Sequence, residues 1–357
     1  KIGSGNYVEA VTQSTFAAFI GMLASMAVLA FYLWKTGMLT SILHKPANAG
    51  EINGRALLWD TIREAIPFII TGSAIQLFQI IDQATFIHVM GWISKYSKSE
   101  LLVQFAYFSA NPNKITMILI AVATSIGGVG IPLLTENYVK GDFRSAARLV
   151  QDNLSMLIFF ILPATIGAVL VAEPLYTVFY GKPDGLAQGL FIFAMLQTII
   201  LSLYTVLAPM IQALFQNRKA IIYFLYGVGV KLVLQVPLIY IFKAYGPLLA
   251  TTVGLIIPIL LMYQEIRKVT GLNPKNLFKR SLLSVILTVL MCIFVLVAEL
   301  LIGLFLHPSG RISSFVYIAL IGGIGLAVYG GLALKVRLMD RFIGSKAASL
   351  RRRFHIY

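Results

Sequence analysis

Asp82 and Lys231 each stand deep inside long apolar stretches of this 357-residue chain. An ionised side chain at such depth costs roughly 2.5–3.5 kcal/mol on insertion scales unless something compensates it. Asp82 is therefore expected to line a cavity, to pair with a cation, to be protonated, or to serve an interhelical hydrogen bond. Around it Ser73, Gln76, Gln79 and Gln83 recur at spacings of three and four, which draws a polar stripe along one side of a helix. Lys231 has Gln235 four residues later and Gly227 four residues earlier, so one side of its helix reads small, basic, then amide. Snorkelling is the bland alternative for Lys231, but from mid-span the stem reaches the interface poorly. Ser109, Asn111, Asn113 and Lys114 gather around Pro112 and offer amide and cationic donors suited to phosphate or sugar hydroxyls, or a plain solvated loop. Arg63 and Glu64 precede a further apolar run, as closers of an inner mouth or as interfacial anchors. The chemistry on offer is binding of a polar or anionic group.

Reaction chemistry is not visible. The four histidines, His44, His88, His307 and His355, are isolated, and the single Cys292 lies inside an apolar run, so neither a metal cluster nor an intrachain disulfide is expected. The sequence holds no Walker A loop, no Gly-x-Ser-x-Gly elbow and no Asp-rich sugar-nucleotide cluster. We expect no cofactor and no enzyme. The net charge of +15 could suggest nucleic acid, but the basic residues sit at the ends of apolar runs and form no soluble basic face. Transport remains by elimination.

The elements that must hold these residues are membrane spans. Hydrophobic residues make up 58% and charged residues 12% of the chain, with a mean hydropathy of +0.84, which excludes an ordinary soluble domain. Stretches of about 20 apolar residues match the length a helix needs to cross the hydrocarbon. The reading is all-α, a polytopic transmembrane bundle of about nine spans: Ser14–Trp34, Ile66–Met90, Ile115–Leu134, Leu154–Val171, Gly189–Leu214, Ile221–Phe242, Pro247–Tyr263, Leu282–Leu306 and Ile312–Leu334. Alternate loops are very unequal in basic residues. Most of the 29 Lys and Arg fall near Lys35–Arg63, at Lys140–Arg148, at Arg218–Lys219, at Arg267–Arg280 and in the tail from Lys335. The positive-inside rule then puts the C-terminus in the cytoplasm and the N-terminus of this segment outside. A start at Lys1, outside and without a signal sequence, reads as a fragment that has lost earlier spans. Pro67, Pro132, Pro163, Pro209, Pro237 and Pro258, with the glycines near 127–130 and 322–325, suggest bendable helices around a cavity or simply close packing through small residues. Lys140–Asn153 alternates charge with apolar residues as a short interfacial helix would.

The order of several short motifs adds a family resemblance. Pro132, Glu136, Gly141 and Asp142 come first; then Leu162, Pro163, Ala164 and Gly167, leading to Ala172–Tyr176 and Phe179–Gly181; then Gln212–Leu214 and Lys219; and last Tyr245, Gly246, Ala250, Thr251, Val253 and Gly254. In this order the chain resembles the polysaccharide flippase branch of the multidrug/oligosaccharidyl-lipid/polysaccharide exporter superfamily, with the closest likeness to MurJ-type and sporulation-type lipid II flippases. The resemblance implies about fourteen spans in two facing six-helix lobes, followed by a helix pair that forms an apolar groove for a polyprenyl tail. It assigns residues 1–45 to the last helix of the first lobe and the start of a linker, 46–270 to the second lobe, 271–340 to the groove pair and 341–357 to a basic cytoplasmic tail. It further implies alternating access, with a cationic cavity taking a pyrophosphate-linked sugar headgroup. By position the cavity lining would be Arg63, Gln76, Gln79, Asp82, Gln83, Asn111, Lys114, Lys231 and Gln235. Lipid II flippases of this kind carry an Asp-Arg pair where this chain has Ser109, Ala110, Asn111 and Pro112, a departure at the expected phosphate contact.

The expected partners are a lipid-linked saccharide, membrane lipid, a coupling Na⁺ or H⁺ at Asp82, and cell-wall synthesis proteins. The expected function is flipping of an undecaprenyl-pyrophosphate-linked precursor to the outer leaflet of the cell membrane. Two alternatives stand beside it: a cation-coupled exporter of cationic drugs, which Lys231 disfavours, and a membrane scaffold that transports nothing.

Overall fold

The computed structural model describes residues 7–38, 54–306, 308, 310–340 and 344–353. The chain divides into two compact units, residues 1–62 and 63–357. In the first, α1 (Tyr7–Lys35) is apolar on all sides from Phe16 onward, with Phe19, Met26, Leu29 and Trp34 all exposed, as suits a helix within a membrane. α2 (Gly54–Gly72) begins in this unit and crosses into the second.

The second unit continues with α3 (Ala74–Ile93), α4 (Lys98–Phe108), α5 (Ala110–Val139), α6 (Phe143–Leu170), α7 (Ala172–Tyr180), α8 (Gly185–Ala213) and α9 (Asn217–Phe242). A 3₁₀ turn at Lys243–Tyr245 leads into α10 (Gly246–Thr270), followed by α11 (Pro274–Gly303), α12 (Arg311–Lys335) and α13 (Ser345–Arg353). Among the described residues six helical runs are long and apolar enough to cross a membrane, or seven with α2 and α3 taken as one bent span. One of the six, Asn217–Thr270, is two antiparallel helices: Gly227 meets Gly254 and Ile239 meets Gly246 across the 3₁₀ turn. Phe19–Lys35 is a shorter apolar helix. The architecture is the all-α membrane bundle expected.

α8 is the central post, with buried residues on every side from Leu190 to Ala213. α5, α6, α9 and α10 pack around it through one core that includes Leu154, Leu157, Tyr204, Leu207, Phe224 and Met262. α11 and α12 form a separate seam with α6 and α7 through Phe159, Met291, Val295, Tyr317, Ile321 and Tyr329. Tyr329 anchors that seam by donating its hydroxyl to the Phe159 carbonyl at 2.8 Å. The outer faces of α11 and α12 expose Ile286, Val289, Leu300, Leu320 and Leu326 to the lipid.

Two local expectations change. The bend in the second span lies at the Gly72–Ser73 pair, where α2 and α3 meet at 55°, while Pro67 sits inside continuous helix. A Gly-Ser pair is a known site for a sharp kink, since it adds no side-chain bulk to resist one. The last turn of α2 is held by α8: the Tyr204 hydroxyl donates to the Thr71 carbonyl at 3.1 Å, and Gln212 Nε2 donates to the Pro67 carbonyl at 3.2 Å. Neighbouring side chains thus take up backbone acceptors at the break, which is how a membrane tolerates one. The second change concerns Lys140–Asn153: Lys140 ends α5, and from Phe143 the segment forms the first turns of the long α6 and no separate surface helix. Asp142 caps α6 by accepting from the Ser145 N–H at 3.0 Å, and that bond holds its carboxyl below the ordinary carboxylate range.

Candidate functional site

α3 supplies the first component of the site. Phe78, Asp82, Phe86, Val89 and Met90 point inward, because positions four apart share a helix face and most of this face is apolar. Asp82 rides on that face, about a sixth of a turn from Gln79. Gln76 and Gln83 fall on the far side of the stripe and are exposed, while Gln79 is half-buried. The polar stripe of α3 therefore splits into an inward carboxylate, an intermediate amide and two outward amides.

α9 and α10 supply the partners. Lys231 is fully buried, and its Nζ donates to Asp82 Oδ1 at 2.8 Å and to the Thr251 hydroxyl of α10. The same ammonium stands 4.9 Å from the centre of the Phe78 ring, within cation–π range. Gln235, one turn further along α9, donates from Nε2 to Asp82 Oδ1 at 2.8 Å and to the Thr85 hydroxyl at 3.0 Å. Gln235 Oε1 is buried with no hydrogen-bond partner among the described residues. The cluster closes this far because glycine lets the helices approach. A Cβ on Gly227 would lie 2.4 Å from the Gly254 carbonyl oxygen, and one on Gly254 would lie 3.1 Å from Lys231 Cβ. Small residues at a helix contact bring backbones together in this way. Asp82, Lys231, Gln235 and Thr251 thus tie three helices at one point, with the two opposite charges matched inside the protein.

Beside the tie lies a cavity of about 50 Å³. It is lined by Gln79, Asp82 and Thr251 on one side and by Ser109, Asn113, Thr116 and Gln197 on the other. One probe sphere of water needs roughly 10–15 Å³, so the space suits a few waters and no sugar. Ser109, the break between α4 and α5, is part of the cavity wall. Gln197 is held by donating to the Leu248 carbonyl at 2.7 Å and to the Thr252 hydroxyl at 2.9 Å.

The remaining expected residues lie apart from this tie. Asn111 donates from Nδ2 to the Tyr176 hydroxyl at 2.7 Å, and its carbonyl accepts from the Tyr180 hydroxyl at 3.0 Å, so it joins α5 to α7. Lys114 is exposed, with its Nζ 5.1 Å from the centre of the Tyr180 ring. Arg63 is exposed on α2. Among the described residues no group of three His, Cys, Asp or Glu side chains could hold a metal ion, and His44, His307 and His355 lie outside those residues. Thr251, Thr85 and Phe78 join the site without any signal of their own in the sequence, being ordinary residues of apolar spans. Asp82 and Lys231 were each too expensive alone, and opposite charges at membrane depth in two spans were the available signal that they pair.

Residues 4–319 match the family model described as "Lipid II flippase MurJ". A curated relative named lipid II flippase MurJ, from Bacillus subtilis (strain 168), is 28% identical over 352 residues, covering 97% of this chain and 64% of its own length. The chain thus spans somewhat under two thirds of the relative it matches. A solved structure titled "Lipid II flippase MurJ, inward closed conformation" aligns with a TM-score of 0.53 and 18% identity, over 74% of this chain and 51% of that one. At such identity the structural likeness speaks for the fold alone.

Proposed function

This chain belongs to the lipid II flippase MurJ family, and on that footing we propose that it works in a membrane transporter carrying an undecaprenyl-pyrophosphate-linked cell-wall precursor, lipid II or a related lipid-linked saccharide, to the outer leaflet by alternating access. The observation that carries this reading is the charge-compensated tie of α3, α9 and α10 at Asp82, Lys231 and Thr251. Alternating access needs bundles that move as units around a polar path. A buried ion pair across three helices makes one such unit, and it leaves the amides of Gln76 and Gln83 on the outward side of α3 free to meet a hydrated headgroup.

In this reading Gln76, Gln79, Gln83, Arg63 and Lys114 are contacts along the path, and Asn111 fixes the end of α5 that carries Lys114. Lys231 and Gln235 are positioning residues. They hold Asp82 and the helix bearing the glutamines, since Lys231 has no exposed surface from which to reach a phosphate. Orientation follows the basic loops, with the C-terminus in the cytoplasm. Drug export coupled to Na⁺ or H⁺ fits less well. It calls for an uncompensated carboxylate in the cavity, whereas the carboxylate among the cavity's lining residues, Asp82, is matched by Lys231.

The test is lipid II translocation in vesicles reconstituted with the full-length protein. Gln76→Leu with Gln83→Leu should lower the flipping rate at least tenfold with the melting temperature retained, since one lost hydrogen bond to a charged group is worth about 1.5–3 kcal/mol and about 1.4 kcal/mol is tenfold. An unchanged rate would remove these amides from the path. Absence of any lipid II translocation by the full-length protein would overturn the function itself and favour a scaffold.

A further inference from the structure

A second polar pocket lies between the start of α11 and the end of α12, with a volume of about 630 Å³. That size falls within the range of small-molecule sites. Its polar lining is Asn276, Lys279 and Arg280 from α11, and Arg337 and Asp340 from the segment after α12. The two carboxylates in reach are already occupied. Asp340 accepts both bonds of Arg351 Nη1, at 2.6 and 2.8 Å, and Asp152 of α6 pairs with Arg280. Lys279 and Arg337 are exposed and have no carboxylate partner among the described residues. The pocket therefore keeps two cations in excess. The N-terminus of the 30-residue α11 adds the positive end of a helix dipole at the same place.

Arg337 carries a second signal. Its backbone has φ +59°, the left-handed region in which a side chain is strained and glycine is not. The residue closes α12 through the bonds Arg337 N–H to the Leu334 carbonyl at 3.1 Å and Leu338 N–H to the Ala333 carbonyl at 3.0 Å, a helix end that ordinarily selects glycine. An arginine at such a position keeps a guanidinium at the pocket against the preference of the backbone.

Around the cations the surface is that of a lipid-facing helix pair. Leu283 and Val336 line the pocket, and Leu282, Val285 and Ile286 lie exposed beside it on α11. We propose that this pocket binds the phosphate headgroup of an anionic membrane phospholipid, with Lys279 and Arg337 as its cationic contacts, Asn276 as an amide donor, and the acyl chains lying along α11. Basic pockets between helices at the cytoplasmic surface are suited to such headgroups, and each nearby cation adds to the attraction of an anionic leaflet. The site does not depend on the transport reading. It would anchor the α11–α12 pair at a fixed depth.

The experiment is native mass spectrometry and thermal melting of the purified protein in neutral detergent. It is titrated with dioleoylphosphatidylglycerol, with dioleoylphosphatidylcholine and with soluble glycerol 3-phosphate. The natural protein should retain phosphatidylglycerol in preference to phosphatidylcholine and gain melting temperature from it. Lys279→Gln with Arg337→Gly should weaken that binding about tenfold, while melting without lipid stays level or rises, because glycine relieves the strained backbone. Lys279→Gln alone, an exposed change in the first turns of α11, should weaken it several-fold, and Lys182→Gln in a distant loop should not. Undiminished phosphatidylglycerol binding in the double variant would overturn the proposal. Equal affinity for glycerol 3-phosphate would overturn the lipid as the ligand and assign the pocket to a free phosphate.

Discussion

Removal of Lys231 should damage the fold before it damages any substrate contact. At the observed 2.8 Å, the attraction between Lys231 and Asp82 amounts to about 6 kcal/mol at an effective dielectric constant near 20. Most of that offsets the loss of hydration by two buried ions, so the intact pair contributes little net stability, but one partner left alone does not recover its share. Lys231→Met strands a carboxylate with only neutral partners, the Gln235 amide and the Thr251 hydroxyl, and should cost about 3–5 kcal/mol. Asp82→Asn strands an ammonium, cushioned by Thr251 and the Phe78 ring, and should cost about 2–4 kcal/mol. The double variant removes both charges and should cost well under the sum, with a coupling of about 3 kcal/mol. Equilibrium unfolding of the four proteins in detergent micelles measures this cycle. Additivity within about 0.5 kcal/mol would refute the tie, since contacting groups in one network do not add. Full stability of Lys231→Met together with lost lipid II affinity would refute it differently, by returning Lys231 to the headgroup contact that its depth in the sequence first suggests. Lys231→Arg should not restore the full natural stability, because the compact ammonium meets Asp82 and Thr251 together and a planar guanidinium presents its donors in a different, fixed fork.

Three further outcomes follow from the geometry. Gly227→Ala should destabilise the protein by about 1–3 kcal/mol in the same unfolding assay, as its methyl group would meet a backbone carbonyl that cannot swing aside; a neutral result would mean α9 and α10 pack more loosely than described. Tyr204→Phe should cost about 1 kcal/mol by leaving the Thr71 carbonyl at the α2–α3 bend without its donor, and an unchanged melting temperature would show that the bend holds itself. Cysteines at position 98 or 275 in a Cys292→Ser background should differ towards an impermeant thiol reagent in intact cells, with Lys98→Cys labelled and Lys275→Cys protected; the reverse pattern would overturn the orientation.

The sequence made the membrane class plain because span length is a property of one stretch of chain. Each apolar run must satisfy its own backbone within the bilayer, so the run announces the helix without reference to any neighbour. Lys231 and Asp82 were legible for the same reason, as single residues whose cost at that depth is a local matter. Their partnership was not, because Asp82 and Lys231 are 149 residues apart and nothing local to α3 sets which face it turns towards α9. The spacing of Gln76, Gln79, Asp82 and Gln83 draws one polar stripe on α3, and the fold divides it by burial. Asp82 lies on its inner margin with Phe78 and Phe86, and burial separates it from Gln76 and Gln83.

The same distinction explains the bend. Pro67 is the residue that pattern reading singles out, since proline removes a helix donor wherever it stands. In the fold it is absorbed: the Pro67 carbonyl accepts from Gln212 and from the Thr71 hydroxyl, and the helix passes through it intact. The kink forms instead where Gly72 and Ser73 offer no side-chain packing to keep the axis straight, and where Tyr204 reaches the Thr71 carbonyl. Immediately beyond this bend, α3 carries Asp82 into the tie with α9 and α10 and keeps two glutamines on its outward side. The bend and the ion pair are thus held by separate contacts: Tyr204 and Gln212 of α8 fasten the end of α2, while Lys231, Gln235 and Thr251 fasten α3 through Asp82. The position of the bend is therefore set by which backbone acceptors α8 can reach, a property of the packed bundle that the proline in the sequence does not reveal.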